Sequence, residues 1–214
     1  MRFAKITLLY KVIMFKASTY FLILLVITAL SSCSGSSNVN VGDAAYKSGD
    51  FATAVTSYTE SLKNNPANLD LLYGRGRAYQ EMGKLIEAQT DFEQALEIEP
   101  NNFQVLLSLA TIQLDQKSYA SALLYATKAE EIPGAPAMAS LLKGRALHQL
   151  GMPEDALKAY GNAIQVDKDF GQAYLNRGLL KVGLDRTKQA CEDFKLAAAL
   201  NYPGAAENLE KYCK

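Results

Sequence analysis

The sequence predicts an all-α protein built from stacked helical hairpins. Three observations predict it: a small-residue pattern that returns every 34 positions, two amphipathic segments in each period, and a glycine or proline where segments end. Such a period is typical of repeat arrays, in which each unit buries its apolar face against its neighbours. The pattern defines five repeats without an insertion, at residues 35–68, 69–102, 103–136, 137–170 and 171–204.

Two columns of small residues run through the repeats, one in each helix of the hairpin. They are Gly42, Gly76, Ala110, Gly144 and Gly178 in the first helices, and Ala54, Ala88, Ala122, Ala156 and Ala190 in the second. Small side chains let two helix backbones approach closely, so we expect the helices to cross here. Aromatic residues follow the second column in four repeats, and we expect them to wedge between one hairpin and the next. They are Tyr58, Phe92, Tyr160 and Phe194.

Glycine and proline mark the predicted turns. Gly49, Gly83 and Gly151 lie between the two helices of repeats one, two and four, where a glycine ends a helix by adopting a left-handed backbone. Pro66 and Pro100 follow the second helix of repeats one and two, because proline lacks the amide hydrogen that would continue the helix. Residues 205–214 then form a short polar helix, which we interpret as a C-terminal cap.

The second repeat carries a recognisable signature. It matches the helix–turn–helix pattern of the tetratricopeptide repeat family at Leu72, Gly76, Tyr79, Gly83, Ala88, Phe92, Ala95 and Pro100. The chain resembles that family over nearly all residues after its leader, although every repeat lacks the usual tryptophan. The resemblance implies a right-handed α-solenoid whose first helices line a concave groove for a protein or peptide partner. The sequence also contains no catalytic, metal-binding or phosphate-binding motif, so we expect no cofactor, no metal and no catalysis.

Carried over position by position, the resemblance places polar and aromatic residues in that groove. We expect partner contacts at Tyr46, Asp70, Tyr73, Arg77, Gln80, Thr111, Arg145 and His148. An aliphatic line at one repeat position, formed by Leu107, Leu141 and Leu175, either joins that surface or packs in the core. The sequence leaves both alternatives open.

Comparison of the repeats with one another predicts two ion pairs. Repeats two and five each have an arginine just before the glycine of the first helix, and an aspartate just before the aromatic residue of the second. The other three repeats lack both residues. We therefore expect Arg75–Asp91 and Arg177–Asp193 to link the helices of their hairpins, which makes a partner-binding role for these arginines less favoured.

Two cysteines lie near the predicted C-terminal cap. Cys191 is early in the second helix of repeat five, and Cys213 is near the end of the cap helix. If the cap packs antiparallel to that helix, the two thiols come together and can form a disulfide in an oxidising compartment. The alternative is that each is an isolated, partly buried thiol acting as a small apolar residue.

The first 32 residues resemble a lipoprotein signal peptide. Four basic residues precede an apolar run from Phe21 to Leu30, which is too short to span a membrane. The following Leu30-Ser31-Ser32-Cys33 resembles a bacterial lipobox, which implies that Cys33 is lipidated and that residues 33–37 begin the mature chain as a short linker. We expect anchoring to the outer membrane, facing the periplasm; the alternative is an uncleaved signal anchor with an unmodified Cys33.

Charge and composition favour a protein-binding function. The chain has 22 basic and 22 acidic residues, and removal of the leader leaves 18 basic against 22 acidic, a balance that disfavours nucleic-acid binding. His148 is the only histidine, and no phosphate-binding loop or nucleophile motif is present. We expect a scaffold for protein partners of the cell envelope. The alternative is a non-catalytic binder of a cell-wall or small ligand through the polar side of the groove.

Overall fold

The structure is a computed structural model and describes residues 35–214, with side chains from residue 41 onward. The predicted signal peptide and Cys33 lie outside the described residues. The described part of the chain contains eleven α-helices and no strand, which confirms the all-α prediction. The helices are α1 (Gly35–Lys47), α2 (Phe51–Asn64), α3 (Leu69–Glu81), α4 (Leu85–Ile98), α5 (Phe103–Asp115), α6 (Tyr119–Glu130), α7 (Ala137–Gln149), α8 (Pro153–Val166), α9 (Gly171–Gly183), α10 (Thr187–Ala199) and α11 (Ala205–Tyr212).

Consecutive helices pair into the five predicted hairpins. The chain divides into two compact units, the first ending at Pro66 and the second spanning Ala67–Lys214. In the first unit, α1 packs on α2. In the second, α3 packs on α4, α5 on α6, α7 on α8 and α9 on α10. The first helices α3, α5, α7 and α9 also contact one another in sequence, so they form one layer of the second unit.

The turn within each hairpin has the same backbone conformation in every repeat. Gly49, Gly83 and Gly151 adopt positive φ angles of 82°, 72° and 73°. Lys117 and Asp185 occupy the equivalent position in repeats three and five and adopt φ angles of 60° and 59°. Since non-glycine residues rarely take this conformation, packing of the two helices determines the turn even where glycine is absent.

Each aromatic ring of a second helix lies against the glycine of the first helix in the same hairpin. A Cβ atom built on Gly76 would lie 2.6 Å from Cε1 of Phe92, and one built on Gly178 would lie 2.6 Å from Cε1 of Phe194. The same approach joins Gly42 to Tyr58 and Gly144 to Tyr160. The first column is therefore small because a ring fills the space beside it, and not only because two backbones cross there.

Repeat three replaces both members of this contact. Ala110 stands where the other repeats have glycine, and Ala126 stands where they have the ring. Both alanines are fully buried in one core cluster. The departure of repeat three from the pattern is thus a paired change, in which loss of the ring makes room for the methyl group.

The structure contains both ion pairs that the sequence predicts. Arg75 donates to the Asp91 carboxylate through Nε at 2.8 Å and Nη2 at 2.6 Å. Arg177 donates to Asp193 in the same two-pronged manner, at 3.0 and 2.6 Å. Both aspartates are buried, and a bidentate arginine satisfies a buried carboxylate well. Lys181 adds a second cation to Asp193, 2.8 Å from Oδ2, which the sequence comparison missed.

A third ion pair joins repeats three and four. Lys143 occupies the position of Arg75 in repeat four, but its partner is Glu130 at the end of α6 in the preceding repeat. Ser140 also donates to Glu130, at 2.6 Å. Burial acts to raise the pKa of Glu130, but the hydrogen bonds from Lys143 and Ser140 outweigh it and hold that pKa below its usual range. The carboxylate is therefore ionised at neutral pH.

The C-terminal helix covers the last hairpin and is covalently joined to it. Helix α11 packs on α10, and Cys191 and Cys213 form a disulfide with their Cα atoms 5.6 Å apart. The rings of Phe194 and Tyr212 stack beside it, with their centroids 6.0 Å apart. A short terminal helix has little apolar area of its own, so the crosslink limits its fraying.

The glycine–ring contact predicts the effect of adding one methyl group. Gly76→Ala should destabilise the protein by about 1–3 kcal/mol, because the buried ring of Phe92 has no space into which to move. Gly161→Ala is the matched control: Gly161 is also helical, and its added Cβ would meet only Arg177, at 3.8 Å. That variant should gain up to about 1 kcal/mol from helix propensity.

Urea unfolding followed by far-ultraviolet circular dichroism measures both changes. Equal stability of Gly76→Ala and Gly161→Ala would show that the ring does not fill the space beside the first column.

Candidate functional site

The residues predicted to contact a partner are distributed along the first helices, and several contact one another. In the first unit, Tyr46 packs edge-to-face on Phe51, with ring centroids 5.4 Å apart. In the second unit, the Arg77 guanidinium lies 5.9 Å from the centre of the Tyr73 ring. Asp70 and Gln80 lie on the same helix, exposed and half-buried respectively. These side chains are accessible to solvent in whole or in part.

The structure places the aliphatic line of Leu107, Leu141 and Leu175 mainly in the core. Leu141 is 0% exposed and belongs to the core cluster of repeats four and five. Leu107 and Leu175 are half-buried and pack against neighbouring clusters. The line does not form an exposed apolar stripe, because Leu141 at its centre is inaccessible.

The structure brings Arg145 and His148 together in a pocket of about 320 Å³. Repeats three, four and five all contribute to its walls. The lining residues are Leu114, Asp115, Lys117, Tyr119, Arg145, His148, Gln149, Tyr160, Asn176 and Leu179. Thr111, the equivalent of Arg145 in the preceding repeat, is not among them; its hydroxyl donates to the Leu107 carbonyl oxygen at 2.9 Å.

Positive charge predominates in this pocket. Arg145 and Lys117 carry positive charges, and Asp115 is the one acid in the lining. Among the residues described, no carboxylate lies within ion-pair distance of Arg145. This arginine differs from Arg75 and Arg177, whose charges are already neutralised within their own hairpins.

Tyr160 is the pocket residue that the sequence analysis assigned only to packing. It is 1% exposed, and its hydroxyl has no hydrogen-bond partner among the described residues. Burial raises the pKa of Tyr160 to about 12, against the opposing effect of the Arg145 charge. The phenol therefore keeps its proton at physiological pH and remains a hydrogen-bond donor at the pocket wall.

Repeat one shows what this hydroxyl does when an acceptor is present. Tyr58 is the equivalent of Tyr160, and its hydroxyl donates to Oδ1 of Asp43 at 2.6 Å. Asp43 is the equivalent of Arg145, one position after the first-column glycine. Repeat four thus has a second donor where repeat one has the acceptor. Comparing these two positions across repeats would have exposed the difference in the sequence alone.

The arrangement is suited to binding rather than to a reaction. Arg145, Tyr160 and Asn176 offer hydrogen-bond donors to an anionic or polar group, while Leu114 and Leu179 provide apolar walls. In the described range 35–214, no group of three metal-ligating side chains is placed to hold an ion. None of the described helices has the length and apolarity needed to cross a membrane.

Comparison with known proteins identifies the repeats. Tetratricopeptide repeat profiles match residues 69–102 and 139–170, and a TPR repeat profile matches residues 42–83. The chain contains tetratricopeptide repeats. These matches include the hairpin that carries Arg145 and Tyr160.

Similar proteins share the repeats at low sequence identity. The protein CTR9 homolog of Arabidopsis thaliana is 26% identical over 168 residues, which cover 73% of this chain but only 15% of that protein. The crystal structure of YrrB, a TPR protein with an unusual peptide-binding site, has a TM-score of 0.67 at 21% identity and covers 83% of this chain and 92% of its own. PilW, a widely conserved type IV pilus biogenesis factor, has a TM-score of 0.71 at 21% identity and covers 79% of each chain. These structural similarities establish the fold.

The two equivalent tyrosines predict opposite responses to loss of a hydroxyl. Tyr58→Phe should destabilise the protein by about 1 kcal/mol, because it removes the 2.6 Å hydrogen bond to Asp43. Tyr160→Phe should leave stability unchanged or raise it slightly, because the lost hydroxyl has no partner within the described chain and phenylalanine occupies this position in repeats two and five.

Thermal and urea unfolding of the two variants beside the wild type provide the measurement. A destabilisation by Tyr160→Phe as large as that by Tyr58→Phe would indicate that the Tyr160 hydroxyl is satisfied within the protein.

Proposed function

We propose that this protein is a lipid-anchored scaffold of the bacterial periplasm that binds a protein segment in the groove of its first helices. The observation that carries the proposal is the pocket between repeats three, four and five, where a cation without an acidic partner and a free phenol face the same space. These donors have no acceptor within the described chain, so solvent or a bound molecule supplies one. A binding role follows from that arrangement, and no step of covalent chemistry is needed.

Several observations support the finer parts of the proposal. The disulfide between Cys191 and Cys213 suits an oxidising compartment such as the periplasm. The leader and Cys33 match the order of a lipoprotein signal in sequence. YrrB is described as having a peptide-binding site and PilW as a type IV pilus biogenesis factor, so this fold serves peptide binding and pilus biogenesis in other proteins.

A second candidate function uses the same pocket for a small ligand of the cell wall. Its volume of about 320 Å³ lies at the lower end of the range for small-molecule sites, and polar side chains line much of it. The two candidates differ in whether a protein is found at the pocket in the native envelope.

Site-directed crosslinking distinguishes the two candidates. A photo-reactive amino acid in place of Leu179, which is 40% exposed at the pocket, should capture a defined protein when the full chain is irradiated in its own envelope. The same amino acid in place of Ile86, which is 76% exposed on helix α4, is the control and should not capture that protein.

Adding Arg145→Glu to the Leu179 probe should reduce the capture at least several-fold, since it reverses the charge of the pocket. Absence of a captured protein from Leu179, together with a thermal shift by cell-wall fragments, would instead favour the small-ligand function.

The lipid anchor is tested at Cys33. The wild-type chain should incorporate a labelled fatty acid and sediment with membranes, whereas Cys33→Ser should remain unlabelled and retain the leader, with a correspondingly higher mass. An unlabelled, uncleaved wild-type chain in the membrane fraction would support the signal-anchor alternative and remove the lipid from the proposal.

A further inference from the structure

One contact of the pocket, between a residue of the first helix and the ring position of the second, can be compared in all five repeats. The residue after the first-column position faces the ring position of the same hairpin, as the hydrogen bond from Tyr58 to Asp43 shows. The five pairs, in repeat order, are Asp43/Tyr58, Arg77/Phe92, Thr111/Ala126, Arg145/Tyr160 and Leu179/Phe194. Tyrosine occurs twice, once with an acid and once with a base.

Repeat one therefore contains a complete phenol–carboxylate pair, and repeat four contains the phenol without the carboxylate. Arg145 cannot accept a proton from Tyr160, because a guanidinium has five donors and no acceptor. Both side chains consequently offer hydrogen atoms to one region of the pocket. The group that repeat four lacks, compared with repeat one, is a carboxylate that accepts these hydrogen bonds.

We propose that the pocket binds one aspartate or glutamate side chain of the partner segment, with the Tyr160 hydroxyl and the Arg145 guanidinium donating to the same carboxylate. The proposal rests on the proposed function that the groove accepts a protein segment, and it adds the chemistry of the residue recognised. In repeat one the acceptor for the phenol is supplied by the chain itself; in repeat four it comes from the partner.

Charge and burial favour this occupant. Lys117 lies in the same pocket as Arg145, and Asp115 is the one acid beside them, so the pocket retains positive charge that an acidic side chain would neutralise. Tyr160 is 1% exposed, which fixes its hydroxyl at the base of the site. A partly desolvated, bidentate arginine–carboxylate contact is among the stronger polar contacts available to a protein.

The walls indicate a side chain within a polypeptide rather than a free anion. Leu179 is 40% exposed beside the polar donors, and Leu114 contributes to the same lining. An acidic residue next to an apolar residue in one segment would satisfy both kinds of wall. A small inorganic anion would leave Leu179 uncovered.

Selection of short random peptides on the full chain in detergent micelles tests the proposal. Peptides that bind the wild type should share an aspartate or glutamate at one position, and this preference should disappear in a selection on Arg145→Glu. The selected peptides are then synthesised with amidated C-termini, so that their carboxylates belong to side chains alone.

Replacing the shared acid of a selected peptide by its amide should weaken binding to the wild type about tenfold. On the double variant Arg145→Gln with Tyr160→Phe, the same replacement should change affinity less than about twofold, since both donors are gone. Tyr160→Phe alone should give an intermediate loss. Tyr58→Phe removes an equivalent hydroxyl that is already bonded to Asp43, and it should bind like the wild type.

Each other outcome overturns the proposal. If the selected peptides share no acid, the pocket does not recognise a carboxylate. The same conclusion follows if the change from acid to amide weakens binding equally in the wild type and the double variant. Either result is still compatible with a groove that binds a protein. If no peptide is selected, the hypothesis that a linear segment occupies the pocket is wrong. Crosslinking at Leu179 would then decide whether the groove binds a protein at all. Circular dichroism melts verify that each variant is folded.

Discussion

The contact between a second-helix ring and a first-helix glycine determines the helix spacing in four of the five hairpins. An added Cβ at Gly42, Gly76, Gly144 or Gly178 would approach the ring to 2.7 Å or less, so the two helices meet at a distance that only glycine permits. Repeat three obtains a buried contact with two alanines instead. Because the residue after the glycine sits beside the ring, the same contact places Arg145 next to Tyr160 at the pocket.

The ion pairs show how charges on neighbouring first-helix positions acquire different roles. Arg75 and Arg177 bind buried aspartates in their own hairpins, and Lys143 binds Glu130 of the preceding repeat. These cations are committed to holding helices together. Arg145 lies two positions after Lys143, on another face of the same helix, and no carboxylate of the described chain lies within ion-pair distance of it. The structure thus separates structural cations from a cation available to a partner.

The sequence predicted the hairpins and their internal pairs because these depend on repeated short-range patterns. The 34-residue period located the small columns, and joint appearance of arginine and aspartate identified Arg75–Asp91 and Arg177–Asp193. The pocket could not be predicted in the same way, since its walls come from three repeats. Tyr160 was predicted only to pack, because its ring occupies the same core position as the rings of Phe92 and Phe194. Its hydroxyl and the adjacent Arg145 distinguish it from those two residues. Leu141 was left between groove and core, because helical spacing does not report burial.

The Tyr160 hydroxyl has no partner in its own hairpin but reaches the solvent of the pocket, because no side-chain oxygen or nitrogen atom buried among the described residues lacks a hydrogen-bond partner. Water in the pocket can accept a hydrogen bond from this hydroxyl, so its cost to folding is small, and phenylalanine at the same position in repeats two and five removes the hydroxyl altogether. In repeat one the equivalent hydroxyl, that of Tyr58, donates instead to the internal carboxylate of Asp43, 2.6 Å away. Repeat four uses neither solution, and Arg145 stands where the internal acceptor would be. A carboxylate that binds here replaces water with a charged acceptor shared by the phenol and the guanidinium, and charge-assisted hydrogen bonds are stronger than neutral ones, so these two side chains would stabilise the complex.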